Sequence, residues 1–345
     1  MTTLVDMARA IGGSMGGGDL SSVLADGLSR VSGRFQGHLD TRVAPVAALC
    51  RHVERYRGKM LRPTMTLLSG MACDPRGCVP EAVTEALVTV GAVVEMVHVA
   101  TLVHDDVLDE ADRRRSAPTI NALKGNEAAV MLGDYLIARS FHLCSTLDQQ
   151  RTALRIGEVT STVCEGELLQ LVHRGDLALD EPLYFDIVER KTASLIAAAC
   201  ELGAFHAGAD SGVQKALSEY GRLVGVAFQI QDDLLDLIGE DRLVGKSLGK
   251  DLEKQKLTLP VIHHLASLPH SGRLETERLI QTRAFDNGHR HEVTPRLNAT
   301  GSIAYARQTA TRLIEQAKAS LEALPASPAK NLLITMADAV IRRDF

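Results

Sequence analysis

The stretch from Val97 to Asp109 limits the possible fold more narrowly than any other part of the chain, because it is an apolar run that ends in three aspartates. No glycine or proline interrupts it, so it is predicted to form one helix, in which residues four positions apart lie on the same face. Asp105 and Asp109 then point the same way. With Asp106 beside them, they form a hard-oxygen surface of the kind that holds Mg²⁺ together with water and substrate phosphates.

An isolated DDxxD segment is also compatible with a simple solvated helix end. The pattern occurs twice, however, because the apolar run that begins at Ala227 ends in Asp232, Asp233 and Asp236. A fold that brings both helices to one cavity would place six carboxylates around it, and that much negative charge requires cations. The pair of motifs predicts a polynuclear magnesium site that binds a diphosphate.

From Leu20 onward the chain has a helical pattern with short loops that contain Gly, Pro and Asp, and no run shows sustained period-two alternation. The fold class is therefore predicted to be all-α. We expect a flexible N-terminal arm over residues 1–20, where seven consecutive positions include five glycines. A single all-helical domain is expected over residues 21–345.

Composition excludes several other classes of protein. The net charge is only −5 and aromatic residues make up 3% of the chain, which argues against a nucleic-acid partner. The six cysteines are scattered without metal-binding spacing, as expected of free thiols in a reducing compartment. The N-terminus does not resemble a secretory signal, and we identify no membrane span, so the expected location is the cytoplasm.

Two basic segments are candidate anion sites. Pro63 suits the first turn of a helix, and Lys59 and Arg62 would then lie beside its positive end. The second segment, 113–115, contains three arginines close to the first aspartate motif. Each segment also has a simpler explanation when it is considered alone. Lys59 and Arg62 could be exposed basic residues in a loop, and the three arginines could form ordinary surface ion pairs. Arginine nevertheless fits diphosphate oxygens better than lysine does.

With both aspartate motifs in these settings, the sequence resembles the trans-type polyprenyl diphosphate synthases of the isoprenoid synthase family, from about residue 40 to the C-terminus. The resemblance implies antiparallel helices around a large central cavity, and a homodimer to which the region 121–140 contributes. It also implies a prenyltransferase that joins an allylic diphosphate to isopentenyl diphosphate head to tail. The implied cofactor is Mg²⁺, with three ions on the bound diphosphate, and the diphosphate released in the reaction takes the proton.

The resemblance also implies a role for each motif residue. Isopentenyl diphosphate would be bound by Lys59, Arg62, His98 and Arg115, and the allylic diphosphate would be activated by Arg114, Lys191, Thr192, Gln229 and Lys246. The metal ligands would be Asp105, Asp109 and Asp232, with Asp106, Asp233 and Asp236 as supporting carboxylates. The chain departs from the family pattern at three positions. The family usually has an uncharged residue in place of Arg113, and a glycine in place of Ser116 and of Gln255. Without the resemblance, a lone histidine on an apolar helix, such as His98, would be interpreted as a core residue. The resemblance implies no role for His104, which is interpreted as structural.

Product length is predicted from the residues below the first motif. Ala100 and Thr101 lie one turn or so before Asp105, and family members with short products carry bulky aromatic residues there. About 15 residues of helix span ~22 Å, which favours a product of roughly thirty carbons or more. The alternatives are a farnesyl or geranylgeranyl diphosphate synthase, a class I terpene cyclase, and a non-catalytic regulatory subunit. Both aspartate motifs are intact, which argues against the last two.

Overall fold

A computed structural model of the chain describes residues 20–56, 58–76, 78–114, 117–239, 249–282 and 289–342. The predicted N-terminal arm lies outside the described residues except for Leu20, which begins the first helix. Arg115 and Lys246, two of the predicted site residues, also lie outside them.

The described chain is helical almost throughout, which confirms the all-α prediction. One antiparallel pair of two-residue strands interrupts the helices, with Arg113 opposite Pro118 and Arg114 opposite Ala117. The elements in chain order are α1 Leu20–Leu39, α2 Ala44–Val53, α3 Leu61–Cys73, α4 Glu85–Leu108, β1 Arg113–Arg114, β2 Ala117–Pro118, α5 Ile120–Lys124, α6 Asn126–Cys144, α7 Gln150–Val172, α8 Glu181–Val188, α9 Ser194–His206, α10 Ser211–Ile238, α11 Lys250–Glu253, α12 Leu259–Ser267, α13 His270–Thr282, α14 His289–Ala299, α15 Ser302–Ser320 and α16 Pro328–Ile341. Short 3₁₀ turns span Glu54–Tyr56, Pro80–Ala82 and Leu321–Ala323, and a π-helical segment, Glu189–Ala193, joins α8 to α9.

Several helix starts follow from capping side chains in the sequence. Thr84, Thr119 and Asp180 precede α4, α5 and α8, and each accepts a hydrogen bond from a backbone N–H in the first turn. Such a bond satisfies one of the donors that the helix itself leaves unpaired. The capping residues thus fix where α4, α5 and α8 begin.

Helix α4 carries the first aspartate motif and is buried over most of its length. It is the one helix in the described residues that is long and apolar enough to cross a membrane, and 78% of its most apolar window is buried inside the protein. A core helix of this kind is apolar on nearly all sides. Helix α6 packs along it, and Gly133 leaves room there for the ring of His104. The ring of His104 therefore packs between these two helices.

The contacts of the chain group into two compact units, each assembled from separate stretches of sequence. The first unit comprises the described parts of residues 1–160, 195–221 and 320–336, and the second comprises those of 161–194, 222–319 and 337–345. The first unit contains the motif at Asp105, and the second contains the motif at Asp232. That residues 21–345 form a single domain stays a prediction.

Candidate active site

The first aspartate motif lies at the C-terminal end of α4. The helix ends at Leu108, one residue earlier than predicted, and Asp109 is its C-cap. The backbone N–H of Asp109 still donates to the carbonyl of Asp105, at 2.8 Å, so the two residues remain one turn apart. Both are partly exposed. Two accessible carboxylates at such spacing are suitable oxygen donors for a hard cation.

Asp106 lies between them in sequence but is only 1% exposed. Its Oδ1 accepts hydrogen bonds from Arg114, at 2.9 Å from Nε and 2.8 Å from Nη2. The guanidinium of Arg114 lies 5.9 Å from the ring centre of Tyr56, and burial, then the charge of Asp106, raises the pKa of the Tyr56 hydroxyl. Asp106 thus holds Arg114 in place.

The GKxxRP segment begins α3 as the sequence predicted, with Arg62 and Pro63 in the first turn. Met60 precedes the helix in the left-handed region, with φ of 54°. The Nε of Arg62 is buried and has no hydrogen-bond partner in the protein. Burial lowers the pKa of Arg62 to about 10, and the nearby carboxylate of Glu95, which is 2% exposed, opposes this shift. A buried guanidinium with an unmet donor is suited to an anionic ligand.

Other predicted residues of the first unit lie as follows. Lys59 is exposed in the loop before α3, and His98 is partly exposed on α4. Ala100 is completely buried, and Thr101 is partly exposed, with its hydroxyl donating to the carbonyl of His98 at 2.8 Å. Both residues have small side chains, so neither fills space below Asp105 as an aromatic ring would.

Lys191 and Thr192 belong to the π-helical segment between α8 and α9. Such segments are rare and are often found at functional sites. The Nζ of Lys191 contacts the two carboxylate oxygens of Glu167 at 2.6 and 2.8 Å, and donates to Gln170 at 3.0 Å. A Cβ at Gly166 would lie 2.7 Å from the backbone nitrogen of Lys191, so α7 approaches the segment closely there.

Asp233 of the second aspartate motif belongs to a hydrogen-bonded chain of four side chains, Tyr184, Asp233, Gln229 and Thr192, of which Gln229 is partly exposed and the others are buried. The hydroxyl of Tyr184 donates to Oδ2 of Asp233 at 2.7 Å, and the amide nitrogen of Gln229 donates to its Oδ1 at 2.8 Å. Thr192 donates to the amide oxygen of Gln229 at 2.9 Å. Burial is the largest cause that raises the pKa of Asp233, to about 6, and both hydrogen bonds oppose it.

The other two aspartates of this motif differ from Asp233. Asp232 is partly exposed, so its carboxylate is within reach of an ion from solution. Asp236 accepts hydrogen bonds from the backbone N–H groups of Lys250 and Asp251, at 3.2 and 3.0 Å. It therefore anchors the start of α11, an interaction that the sequence analysis did not anticipate.

One cavity of about 170 Å³ is lined by some of the predicted residues of the second unit, but Asp232 and Asp236 do not belong to its lining. Its lining includes Lys191, Thr192, Gln229, Asp233 and Tyr184. Lys256 lines it as well. An ammonium group and two neutral polar side chains beside one cavity can disperse the negative charge of a leaving anion.

No group of three or more His, Cys, Asp or Glu side chains encloses a metal position within the described part of the chain. The partly exposed carboxylates Asp105, Asp109 and Asp232 nevertheless have the chemistry of magnesium ligands. Mg²⁺ usually keeps several waters and takes one or two protein carboxylates, with phosphate oxygens as its other ligands. The residues present therefore fit this ion as it binds with a diphosphate.

The sequence analysis missed four residues that hold the predicted ones in place. Glu167 and Gln170 bind Lys191, Tyr184 binds Asp233, and Gly166 permits the close approach of α7. No spacing rule would have identified Tyr184, because its partner is 49 positions away.

The fold and these motifs define an all-α enzyme that binds diphosphates, and comparisons with known proteins give the family. The polyprenyl synthetase family model matches residues 44–294. The octaprenyl diphosphate synthase of Escherichia coli is 34% identical over 328 residues, which cover 94% of this chain and 98% of that protein.

Two solved structures are also similar to the chain. A decaprenyl diphosphate synthase from Rhodobacter capsulatus has a TM-score of 0.87 and 34% identity, with 94% of this chain and 98% of that chain covered. A polyprenyl synthase from Caulobacter crescentus, complexed with calcium and isoprenyl diphosphate, has a TM-score of 0.87 and 29% identity, with 100% of this chain and 99% of that chain covered.

The chain belongs to the polyprenyl synthetase family. It is a prenyltransferase of isoprenoid biosynthesis with the isoprenoid synthase fold, as predicted.

Proposed function

We propose that the chain catalyses the Mg²⁺-dependent head-to-tail condensation of isopentenyl diphosphate with an allylic diphosphate, giving a medium- or long-chain all-trans polyprenyl diphosphate. The observation that carries this proposal is the cavity lined by Lys191, Thr192, Gln229 and Asp233. A cation and hydrogen-bonding groups at one cavity are what a departing diphosphate requires as its charge develops.

Magnesium ions, three in number as the family resemblance implies, would neutralise the diphosphate charge when bound. Asp105 and Asp109 would hold them from the end of α4, and Asp232 from α10. Calcium and isoprenyl diphosphate are present together in the structure of the related Caulobacter synthase, which supports a divalent cation for this chain.

The allylic substrate would be positioned by the cationic side chains Arg114, Lys191 and Lys246. Arg114 is already oriented by Asp106, so little conformational freedom is lost on binding. Lys191 pairs with Glu167 in this structure, and it would have to exchange part of that pairing for a diphosphate oxygen. Thr192 donates its hydroxyl proton to Gln229, so it can donate to the diphosphate only by giving up that bond.

Isopentenyl diphosphate would be held by Lys59, Arg62, His98 and Arg115. The buried, unpartnered Nε of Arg62 is the observation that supports an anion at this place. The carbon–oxygen bond of the allylic diphosphate breaks, the double bond of isopentenyl diphosphate attacks the resulting cation, and a new carbon–carbon bond forms. The released diphosphate would take the proton whose loss restores an alkene.

The product would be roughly thirty carbons or longer, since about 15 residues of α4 below Asp105 span ~22 Å. The octaprenyl and decaprenyl synthases among the relatives support this length. A geranylgeranyl diphosphate synthase from Methanosarcina mazei is also similar, at 32% identity over 332 residues, so a short-chain enzyme is the second candidate.

The test is an assay of the purified chain alone, with Mg²⁺, isopentenyl diphosphate and an allylic diphosphate, followed by chromatography of the products. We expect polyprenyl diphosphates from wild type, and losses of at least ~100-fold for Asp105→Ala and Asp232→Ala with unchanged helix content. A cyclised product would indicate a terpene cyclase. Activity only after a second protein is added would indicate a regulatory subunit.

A further inference from the structure

We infer that Tyr184 is a positioning residue for prenyl transfer, because it fixes Asp233 and, through Asp233, the amide of Gln229 beside Thr192. This inference rests on the proposed function of the cavity, but it concerns a residue outside the family motifs on which that proposal was built. The four side chains come from three elements of the second unit, namely α8, α10 and the π-helical segment.

The direction of each hydrogen bond follows from chemistry. An ionised carboxylate has only lone pairs, so Asp233 must accept from both of its neighbours. The Tyr184 hydroxyl is therefore the donor to Oδ2, and Gln229 must turn its NH₂ group toward Oδ1. The amide oxygen of Gln229 then faces Thr192, which has to donate its only proton there.

Asp233 thus determines which end of the Gln229 amide faces the cavity residue Thr192. The two ends of an amide have nearly the same shape, so packing alone does not choose between them. If the Gln229 amide turned over, its oxygen would face the carboxylate and its NH₂ group would face the Thr192 hydroxyl. The position of Asp233 consequently decides whether the Thr192 hydroxyl is a donor or an acceptor toward Gln229.

Tyr184 is suited to hold Asp233 because it is itself well fixed. It is 4% exposed and lies in the first turn of α8, where Asp180 caps the helix and accepts from the backbone of Leu183 at 3.0 Å. The Tyr184 backbone N–H also donates to the carbonyl of Asp180, at 3.1 Å. Without the hydroxyl, one carboxylate oxygen would lose its donor, and Asp233 could rotate away from Gln229.

The test begins with Tyr184→Phe, which removes one oxygen atom and leaves the ring in place. We expect kcat to fall about tenfold, because misplaced catalytic groups lose rate rather than ground-state affinity. The KM for isopentenyl diphosphate should stay within about twofold, since its predicted ligands are elsewhere in the sequence.

Two matched tyrosine variants serve as controls. Tyr220→Phe removes another fully buried hydroxyl, which donates to the carbonyl of Leu333 at 2.6 Å. Tyr305→Phe removes the hydroxyl that binds Glu181, the first residue of α8, at 2.7 and 2.9 Å. Both should keep kcat within about twofold. An equal loss in Tyr305→Phe would attribute the effect to the placement of α8 and overturn the inference.

A double-mutant cycle tests whether Tyr184 acts through Gln229. In a Gln229→Ala background, Tyr184→Phe should cause no further loss of kcat, because the group that it orients is absent. The same tenfold loss in both backgrounds would show independent action and overturn the inference. If Tyr184→Phe does not fold, Asp233→Asn takes its place in the cycle. Equal losses of kcat in the wild-type and Gln229→Ala backgrounds would then also overturn the inference.

These outcomes are separable from failure of the proposed function. Wild-type protein that transfers no prenyl group would refute the function itself. Active wild-type protein with additive losses in the cycle would refute only the role of Tyr184.

Discussion

At the scale of single residues, the middle carboxylates of the two motifs are buried, whereas the first ones are accessible. Asp106 is 1% exposed and binds Arg114, and Asp233 is 5% exposed and binds Tyr184 and Gln229. Asp105 and Asp232 are partly exposed. The middle aspartate of each motif is thus engaged within the protein, and the aspartate before it remains partly exposed.

The burial of Asp233 predicts a stability change at neutral pH. Its pKa is raised from the ordinary 3.8 to about 6, so the folded protein binds this proton more tightly than the unfolded chain does. The ionised carboxylate therefore costs stability above about pH 6, and this cost disappears as the pH falls toward 4. Asp233→Asn removes a penalty of roughly 2–3 kcal/mol while keeping the size of the side chain.

We expect Asp233→Asn to melt at a higher temperature than wild type at about pH 8 without divalent metal, with a smaller difference at about pH 5. Thermal unfolding followed by circular dichroism measures both values. Asp26→Asn, on the exposed face of α1, is the control and should leave the melting temperature unchanged at both pH values. A difference that stays constant with pH would contradict the assignment of the penalty to ionisation.

At the scale of elements, the π-helical segment is the feature that most affects the geometry of the site. It is held by α7, where Gly166 allows close approach and Glu167 and Gln170 bind Lys191. The KT motif was identified in the sequence by resemblance, but its backbone form was not. The contacts of this segment with α7 join residues more than 20 positions apart, and such contacts leave no local periodic signal.

Gly166→Ala tests this close approach. The added methyl group would lie 2.7 Å from the Lys191 nitrogen and 2.8 Å from Cβ of Arg190, so the segment has to move. We expect kcat to fall at least ~tenfold, because small displacements of a catalytic group are costly. Steady-state kinetics provides the measurement.

Gly157→Ala is the matched control on the same helix. Its methyl group would meet the Phe141 ring at 3.7 Å, an ordinary contact, so kcat should be unchanged. Equal kinetic losses in the two variants would mean that any added methyl group on α7 is harmful, and the close approach at Gly166 would lose its significance.

Helix α4 carries the prediction of product length. Ala100 is completely buried and Thr101 partly exposed, and both lie below the first motif. A phenylalanine at either position would occupy the path that we predict for the growing chain, so Ala100→Phe and Thr101→Phe should give shorter products. Overpacking at Ala100 costs about 1–3 kcal/mol, so the melting temperature is measured in parallel.

Ala319→Phe, at an exposed position of α15, is the control for this substitution and should leave the products unchanged. Chromatography of the polyprenyl products decides the matter. Folded Ala100→Phe and Thr101→Phe proteins with the wild-type product distribution would remove both residues from the chain path, and the length argument with them.

At the scale of the whole molecule, the repeated DDxxD pattern and the absence of strand periodicity were sufficient to predict the all-α class and the family. Which residues each motif contacts was not predictable, because these contacts join distant segments. Asp236, for example, binds backbone groups 14 and 15 positions later, at the start of a four-residue helix that has no sequence signature. Motifs thus indicated the chemistry, and folding determined the supporting contacts.

The oligomeric state predicted from the family resemblance is a homodimer, and the surface of α5 and α6 offers a reason. Leu123, Val130 and Met131 are 46%, 41% and 65% exposed there. Clustered exposed apolar side chains often mark a surface that another protein covers, and a two-fold dimer would bring two copies of this one together.

We therefore expect a molar mass of twice 37.2 kDa in size-exclusion chromatography with light scattering. The double variant Val130→Lys with Met131→Lys should shift the mass toward that of one chain, because four lysines would be placed in a dimer interface where unpaired charge is costly. Leu274→Lys, at another exposed apolar position on α13, should leave the dimer intact. A wild-type mass of one chain would contradict the dimer, and an unchanged dimer in the double variant would exclude this surface as its contact.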